Sequence, residues 1–184
     1  MRGLSAEWQP GPDGTPYRRA ARVIPIAASG RVLLVLGHDF ADTTRRWWFT
    51  VGGGIGPDED PRAAAARELY EETGIRARPD DLEGPVLRRY SRFEFVEVSA
   101  RQDEVFYLLR LEREERPRAG EWTELERDVL DELAWWDVDE LAHAARDGAT
   151  VYPPVLPELV ASWIEGWDGT CPLIDEVGAD AATP

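Results

Sequence analysis

Residues 52–75, GGGIGPDEDPRAAAARELYEETGI, put a glycine-rich turn ahead of a short helix that carries Glu68, Glu71 and Glu72. An α-helix turns once every ~3.6 residues, so offsets of zero, three and four set those three side chains on one stripe. The helix is well specified locally. Asp60 suits the N-cap, and Pro61 suits the first helical position, where a missing N–H costs nothing. Ala63 to Ala66 have high helix propensity, and Gly74 supplies the stop. Ala66, Leu69 and Thr73 form a neighbouring stripe that can pack on a sheet while the glutamates face a cleft. Arg67 lies four residues before Glu71, within pairing reach.

Three carboxylates crowded together repel one another and lose hydration, which costs folding free energy unless a cation settles among them. Ligands that are all oxygen suit a hard divalent ion, Mg²⁺ with Mn²⁺ as its substitute, better than Zn²⁺. The competing reading is an alanine-rich surface helix with a solvated charged face, which is what most Glu/Arg runs are.

The spacing decides against that reading. The segment resembles the Nudix box, the signature of the Nudix hydrolases, at Gly53, Glu59, Arg67, Glu68, Leu69, Glu71, Glu72, Gly74 and Ile75, with no departure. The resemblance implies an α/β protein with the Nudix fold, an α/β/α sandwich around a mixed β-sheet. It implies a divalent-metal-dependent hydrolase that cleaves a pyrophosphate linkage in a nucleoside diphosphate linked to another group: a nucleotide, a sugar nucleotide or a dinucleoside polyphosphate. The metal ligands it implies are Glu68, Glu72 and Glu71, with the Gly52 carbonyl just before the box. Glu104, opening EVFYLLRL, is the candidate ligand from a later strand, weighed against a plain strand-edge residue. Glu68 is the first choice of general base, with Glu71 and Arg67 completing the catalytic set. Glu121, Glu124 and Glu126 are alternative loop bases or simply solvated charges. Gly53 and Gly54 let backbone N–H groups approach phosphate oxygens, since no side chain intervenes. One departure precedes the box: Val51 stands where many relatives carry proline, which bears on loop rigidity more than on chemistry.

A chain of 184 residues that is 43% hydrophobic supports one domain with a sizeable core. No run of eighteen apolar residues occurs, the N-terminus lacks a signal-peptide core, and Cys171 is the one cysteine, so a cytoplasmic setting is expected. The formal charge of −15 argues against nucleic acid as a partner. A small phosphorylated nucleotide remains compatible, because a bound cation inverts the local field. No membrane partner is expected, and a homodimer is left open. All 21 basic residues are arginine, which removes Schiff-base and P-loop lysine chemistry but supplies phosphate clamps.

Along the chain, residues 1–16 read as a flexible arm, 17–168 as the domain and 169–184 as a disordered tail. Strands are expected over 18–27, 31–37, 46–51, 86–98, 104–112 and 133–137. Helices are expected over 61–73, 138–146 and 155–167, while 121–131 reads as helix or loop. Trp47 and Trp48, adjacent in a strand, must point to opposite faces, one into the core and one free to stack on a base. Trp48 and Arg46 are the substrate-binding candidates beside Gly53 and Gly54. Tyr90, sixteen residues after Gly74, stands near where diadenosine polyphosphate hydrolases often carry a tyrosine. Two other classes compete with the hydrolase. A non-catalytic nucleotide-sensing module of the same fold has no need of a full charge-crowded ligand set. An isomerase of the isopentenyl diphosphate type relies on a cleft cysteine, and Cys171 lies near the tail.

Overall fold

The computed structural model describes residues 8–11, 13–94, 96, 99–118 and 128–179. Strands β1 (Gln9–Pro10), β2 (Pro16–Ala27), β3 (Val32–His38), β4 (Arg46–Phe49) and β5 (Val51–Gly54) precede helix α1 (Pro61–Thr73). Strands β6 (Leu82–Glu94), β7 (Ser99–Leu111) and β8 (Leu130–Trp136) follow, then α2 (Val138–Arg146), β9 (Val151–Tyr152) and α3 (Leu156–Trp163). A short strand β10 (Leu173–Asp175) and a single helical turn, α4 (Glu176–Ala179), come last.

The sheet is mixed and runs β10-β6-β7-β2-β3-β4-β9. Strand β2 is its axis. It pairs in parallel with β7 from Tyr17↔Arg101 to Ala27↔Leu111, while its other edge takes β5 and then β3, both antiparallel. Alternation along β2 gives the sheet two buried faces. Ala21 and Val23 join Leu33, Val35, Tyr107 and Leu109 on the face covered by α1 through Ala64, Ala65 and Leu69. Ile24 and Ile26 join Leu34, Phe106 and Leu108 on the other face, covered by α2 and α3 through Leu141, Leu156, Val160 and Trp163. Each fully buried Leu, Ile or Val contributes about 1.5–3 kcal/mol, so a sheet apolar on both sides needs both helical layers. The expected α/β/α sandwich is the architecture found.

Helix α1 has the expected bounds. Asp60 caps it by accepting from the Arg62 and Ala63 N–H groups, and Gly74 ends it in the left-handed region at φ 73°. Other boundaries moved. Strand β6 begins four residues before the expected start, because Gly84 at φ 126° carries a bulge where Gly-Pro reads as a break. The single strand expected over 46–51 is two, parted at Thr50: β4 pairs with β3 and β5 crosses to β2.

Both expected loose ends carry structure. In the arm, Trp8 is buried under Arg18 and Gln9–Pro10 pair with Pro16–Tyr17. In the tail, β10 adds to the edge of β6 in parallel, and Glu176 reaches a buried arginine. No helix among the described residues is long and apolar enough to cross a membrane.

Candidate active site

Strand β5 lies so close to β2 that a Cβ at Gly52 would come 2.2 Å from the Ala21 carbonyl oxygen, and Gly52 adopts φ +132°. Only glycine fits there. At Gly53 a Cβ would stand 2.5 Å from Glu68 Oε2, so this glycine makes room for a carboxylate rather than for backbone. Glu68 and Glu72, one helical turn apart on α1, are each 4% exposed. The Gly52 N–H donates to Glu72 Oε2 at 2.8 Å, which ties the helix to the turn. Glu71 lies at the rim, with its side chain 36% exposed.

Arg67 holds this acidic stripe together. Its Nη1 lies 2.8 Å from Glu68 Oε1 and 2.8 Å from Glu71 Oε2. Its Nε and Nη2 take Glu59 bidentately at 2.8 and 3.0 Å, and Nη2 also reaches the Gly54 carbonyl at 3.0 Å. Glu59 further accepts from the Gly56 N–H at 2.9 Å. Hydrogen bonds to Glu59, then the nearby Glu68 and Glu71, push the Arg67 pKa up against the opposing effect of burial. The same Arg67 hydrogen bonds hold the Glu59 carboxyl below the usual carboxylate range. One cation thus joins four positions of the box, which explains the fixed spacing from Glu59 to Glu71.

The donor set fits a hard divalent cation. It is all oxygen, two of its carboxylates are nearly buried, and Gly53 keeps open the space beside Glu68. As the side chains stand, no three His, Cys, Asp or Glu residues among those described are gathered to hold a metal ion. The physical reason is local: Arg67 sits between Glu68 and Glu71, and Glu72 is turned to a backbone N–H. The Gly52 carbonyl accepts from Arg22 Nη1, as the Thr50 carbonyl does at 3.3 Å.

Glu104 lies on the opposite face of the sheet from the α1 core, in line with Phe106 and Leu108. Its Oε1 takes Arg22 Nε at 3.0 Å and the Gln102 amide at 2.7 Å, while Oε2 takes Arg89 Nη1 at 2.8 Å. Burial raises its pKa, but Arg22 and Arg89 lower it further, so Glu104 stays ionised between two guanidiniums. Arg22 connects it to the Gly52 carbonyl. Arg22 and Arg89 were not among the candidate site residues; Arg22 carries a signal, as the one charged residue in the buried apolar stretch of β2, whereas Arg89 lies in a strand rich in polar residues and carries none.

The remaining candidates are spread around this centre. Trp48 packs edge-on against Trp136, with ring centroids 5.1 Å apart, and joins the α2–α3 core. Trp47 is the tryptophan that stands beside Tyr152, whose ring also meets Phe93. Arg46 pairs with Asp131 at 2.9 Å, and His38 shares that carboxylate. Gly54 sits at the end of β5 opposite Ala20, its carbonyl on Arg67. Tyr90 is exposed on β6, and Cys171 is exposed near the chain end. Glu121, Glu124 and Glu126 lie outside the described residues.

Comparison with known proteins places these features in a family. The RNA pyrophosphohydrolase of Bartonella tribocorum (strain CIP 105476 / IBS 506) is 43% identical over 67 residues, 34% of this chain and 38% of that protein. Diphosphoinositol polyphosphate phosphohydrolase 3-alpha of Mus musculus is 36% identical over 67 residues, 36% of this chain and 38% of that protein. The chain thus spans 38% of the length of these curated relatives. The E. coli dihydroneopterin triphosphate pyrophosphohydrolase superposes with a TM-score of 0.53 at 20% identity, covering 81% of this chain and 97% of that one. The MutT protein from Methanosarcina mazei Go1 gives 0.54 at 19% identity, covering 80% and 93%, and both likenesses show a shared fold. The family model described as NUDIX domain matches residues 16–159. That match runs from the first residue of β2 into α3 and takes in the glycine turn and α1 together, so the chain belongs to the Nudix family.

Proposed function

We propose that the protein is a Nudix pyrophosphohydrolase: a Mg²⁺-dependent hydrolase of a nucleoside diphosphate linked to another group. The observation that carries this reading is the pair Glu68 and Glu72, both nearly buried against the glycine turn, where Gly53 leaves room for Glu68 and the Gly52 N–H fastens Glu72. Burying two neighbouring carboxylates costs on the order of several kcal/mol, which Arg67 on Glu68 and the Gly52 N–H on Glu72 offset in part and a divalent cation would offset further. The matched relatives, an RNA pyrophosphohydrolase and a diphosphoinositol polyphosphate phosphohydrolase, support cleavage of a phosphoanhydride.

In this reading Glu68, Glu71, Glu72 and the Gly52 carbonyl would hold the cation, which would supply neutralisation of pyrophosphate charge and activation of a water. Glu68 takes the proton from the attacking water. Arg67 orients Glu68 and Glu71 through its ion pairs to both. The Gly54 N–H, off the β2–β5 ladder that takes the Gly53 N–H, meets a phosphate oxygen, and in-line displacement then needs positioning more than covalent help. Glu104 orients Arg22 and Arg89, and Arg22 in turn steadies the Gly52 carbonyl. Trp47, rather than the core-packed Trp48, offers a ring to a base, and Arg46 offers a charge at the rim.

The test is a panel of dinucleotides, sugar nucleotides, oxidised nucleoside triphosphates, 5′-triphosphorylated RNA and diphosphoinositol polyphosphates, each with and without Mg²⁺. Magnesium-dependent phosphate or nucleotide release from at least one supports the reading. Binding without turnover throughout replaces it with the sensor.

A further inference from the structure

Arg89 is a buried cation whose bidentate contact lies outside the scheme above. Its side chain is 2% exposed. Its Nε and Nη2 grip Glu176 bidentately at 2.9 and 2.8 Å, its Nη1 holds Glu104, and the rings of Phe93 and Tyr152 flank it at 5.6 and 5.5 Å. Glu104 passes the connection to Arg22, and Arg22 to the Gly52 carbonyl at the head of the acidic turn. Arg89 therefore belongs to the same polar chain as the catalytic turn.

Its partner Glu176 is loosely held. Glu176 keeps 29% of its side chain exposed and opens α4, directly after the last residue of β10. Three residues of β10 pair with β6, and the Arg88 N–H donates to the Pro172 carbonyl at 2.9 Å. Of these three, Ile174 packs on the core, while Leu173 is 54% exposed. A guanidinium fork binds a carboxylate and a phosphate through the same two parallel N–H bonds. Exchanging one for the other keeps the fork filled, whereas losing Glu176 alone would leave Arg89 Nε and Nη2 without an acceptor while Nη1 keeps Glu104.

We propose that Arg89 is an anion subsite for a phosphate group of the nucleotide ligand, and that Glu176 occupies it in the free chain as an internal stand-in. Arrival of the ligand phosphate releases Glu176, and with it β10 and α4, from the edge of β6. The identity of the anion rests on the hydrolase reading; the occupied fork does not.

The test uses the full chain without metal and ADP as the probe, so that it reads the subsite and not turnover. Glu176→Gln keeps the shape of the side chain and removes the competing charge; its ADP Kd falls at least about five-fold. Arg89→Lys placed on Glu176→Gln keeps the positive charge but loses the fork, and cancels the gain. In the wild-type chain, saturating ADP speeds hydrogen exchange at the Arg88 amide several-fold. Glu176→Gln binding no tighter than wild type, no ADP binding in either protein, a gain that survives Arg89→Lys, or exchange at Arg88 that stays constant or slows, each overturns the proposal. None of these outcomes touches the hydrolase reading, which fails only if Mg²⁺-dependent turnover is absent.

Discussion

Glu72 accepts the Gly52 N–H at 2.8 Å across twenty residues of sequence, so one side chain both fastens α1 to β5 and supplies a carboxylate oxygen to the turn. Glu72→Gln separates the two roles, because an amide oxygen still accepts that N–H while the charge is lost. Turnover falls at least on the order of 100-fold. The melting temperature of the metal-free protein stays constant or rises, since repulsion from Glu68 is relieved. Activity within a few-fold of wild type, or a lower metal-free melting temperature, contradicts the assignment.

The two turn glycines differ in what they exclude. At Gly53 an added methyl meets the end of the Glu68 side chain, which can swing away. Gly53→Ala therefore costs turnover, about ten-fold or more, with little change in melting temperature. At Gly52 the same methyl meets β2 backbone at a positive φ, so Gly52→Ala costs about 3 kcal/mol or more of stability by denaturant titration. The reverse ranking would mean that the turn is held differently.

Removing Glu104 leaves Arg22 and Arg89 facing each other across a buried site. Glu104→Gln costs about 3–5 kcal/mol in denaturant unfolding, the usual penalty for breaking a buried pair from one side. Mn²⁺ affinity measured on the same variant separates an orienting role from a ligand role: unchanged affinity removes Glu104 from the metal site, a loss of about 10–100-fold fits the orienting role, and a larger loss makes it a ligand.

Arg67 lowers the native pKa of Glu59 below its unfolded value, so the pair stabilises the fold fully above the ordinary glutamate range. That contribution disappears as pH falls through the lowered native value. Glu59→Gln, followed by melting temperature against pH, loses stability at neutral pH and shows a shallower acid decline below about pH 4. Parallel curves for both proteins would show that the Arg67–Glu59 pair carries no pH-dependent stability.

The sequence was most legible where the physics is local. Asp60, Pro61 and Gly74 set the ends of α1 without outside help, and Asp137 sets the start of α2 in the same way. The acidic stripe is equally local, because helix periodicity alone brings Glu68, Glu71 and Glu72 to one side. The polar chain behind it is not. Arg22 meets Glu104 only because β2 and β7 pair in parallel, and Arg89 meets Glu176 across eighty-seven residues through an edge strand of three. A small acidic tail reads as disordered by composition, while its residues 173–179 form β10 and α4, with Glu176 on a buried arginine and Ile174 against the core. The Trp47–Trp48 pair was legible as two opposite faces, but which face is core depends on Trp136 arriving from β8.

The central claim, that the acidic side of α1 and its glycine turn cleave a pyrophosphate linkage with a divalent ion, is tested most directly by product release across the substrate panel with and without Mg²⁺. The account predicts release from at least one phosphoanhydride that requires Mg²⁺ or Mn²⁺ and stops on chelation. Tight nucleotide binding with no release from any member, or release indifferent to chelation, would contradict it.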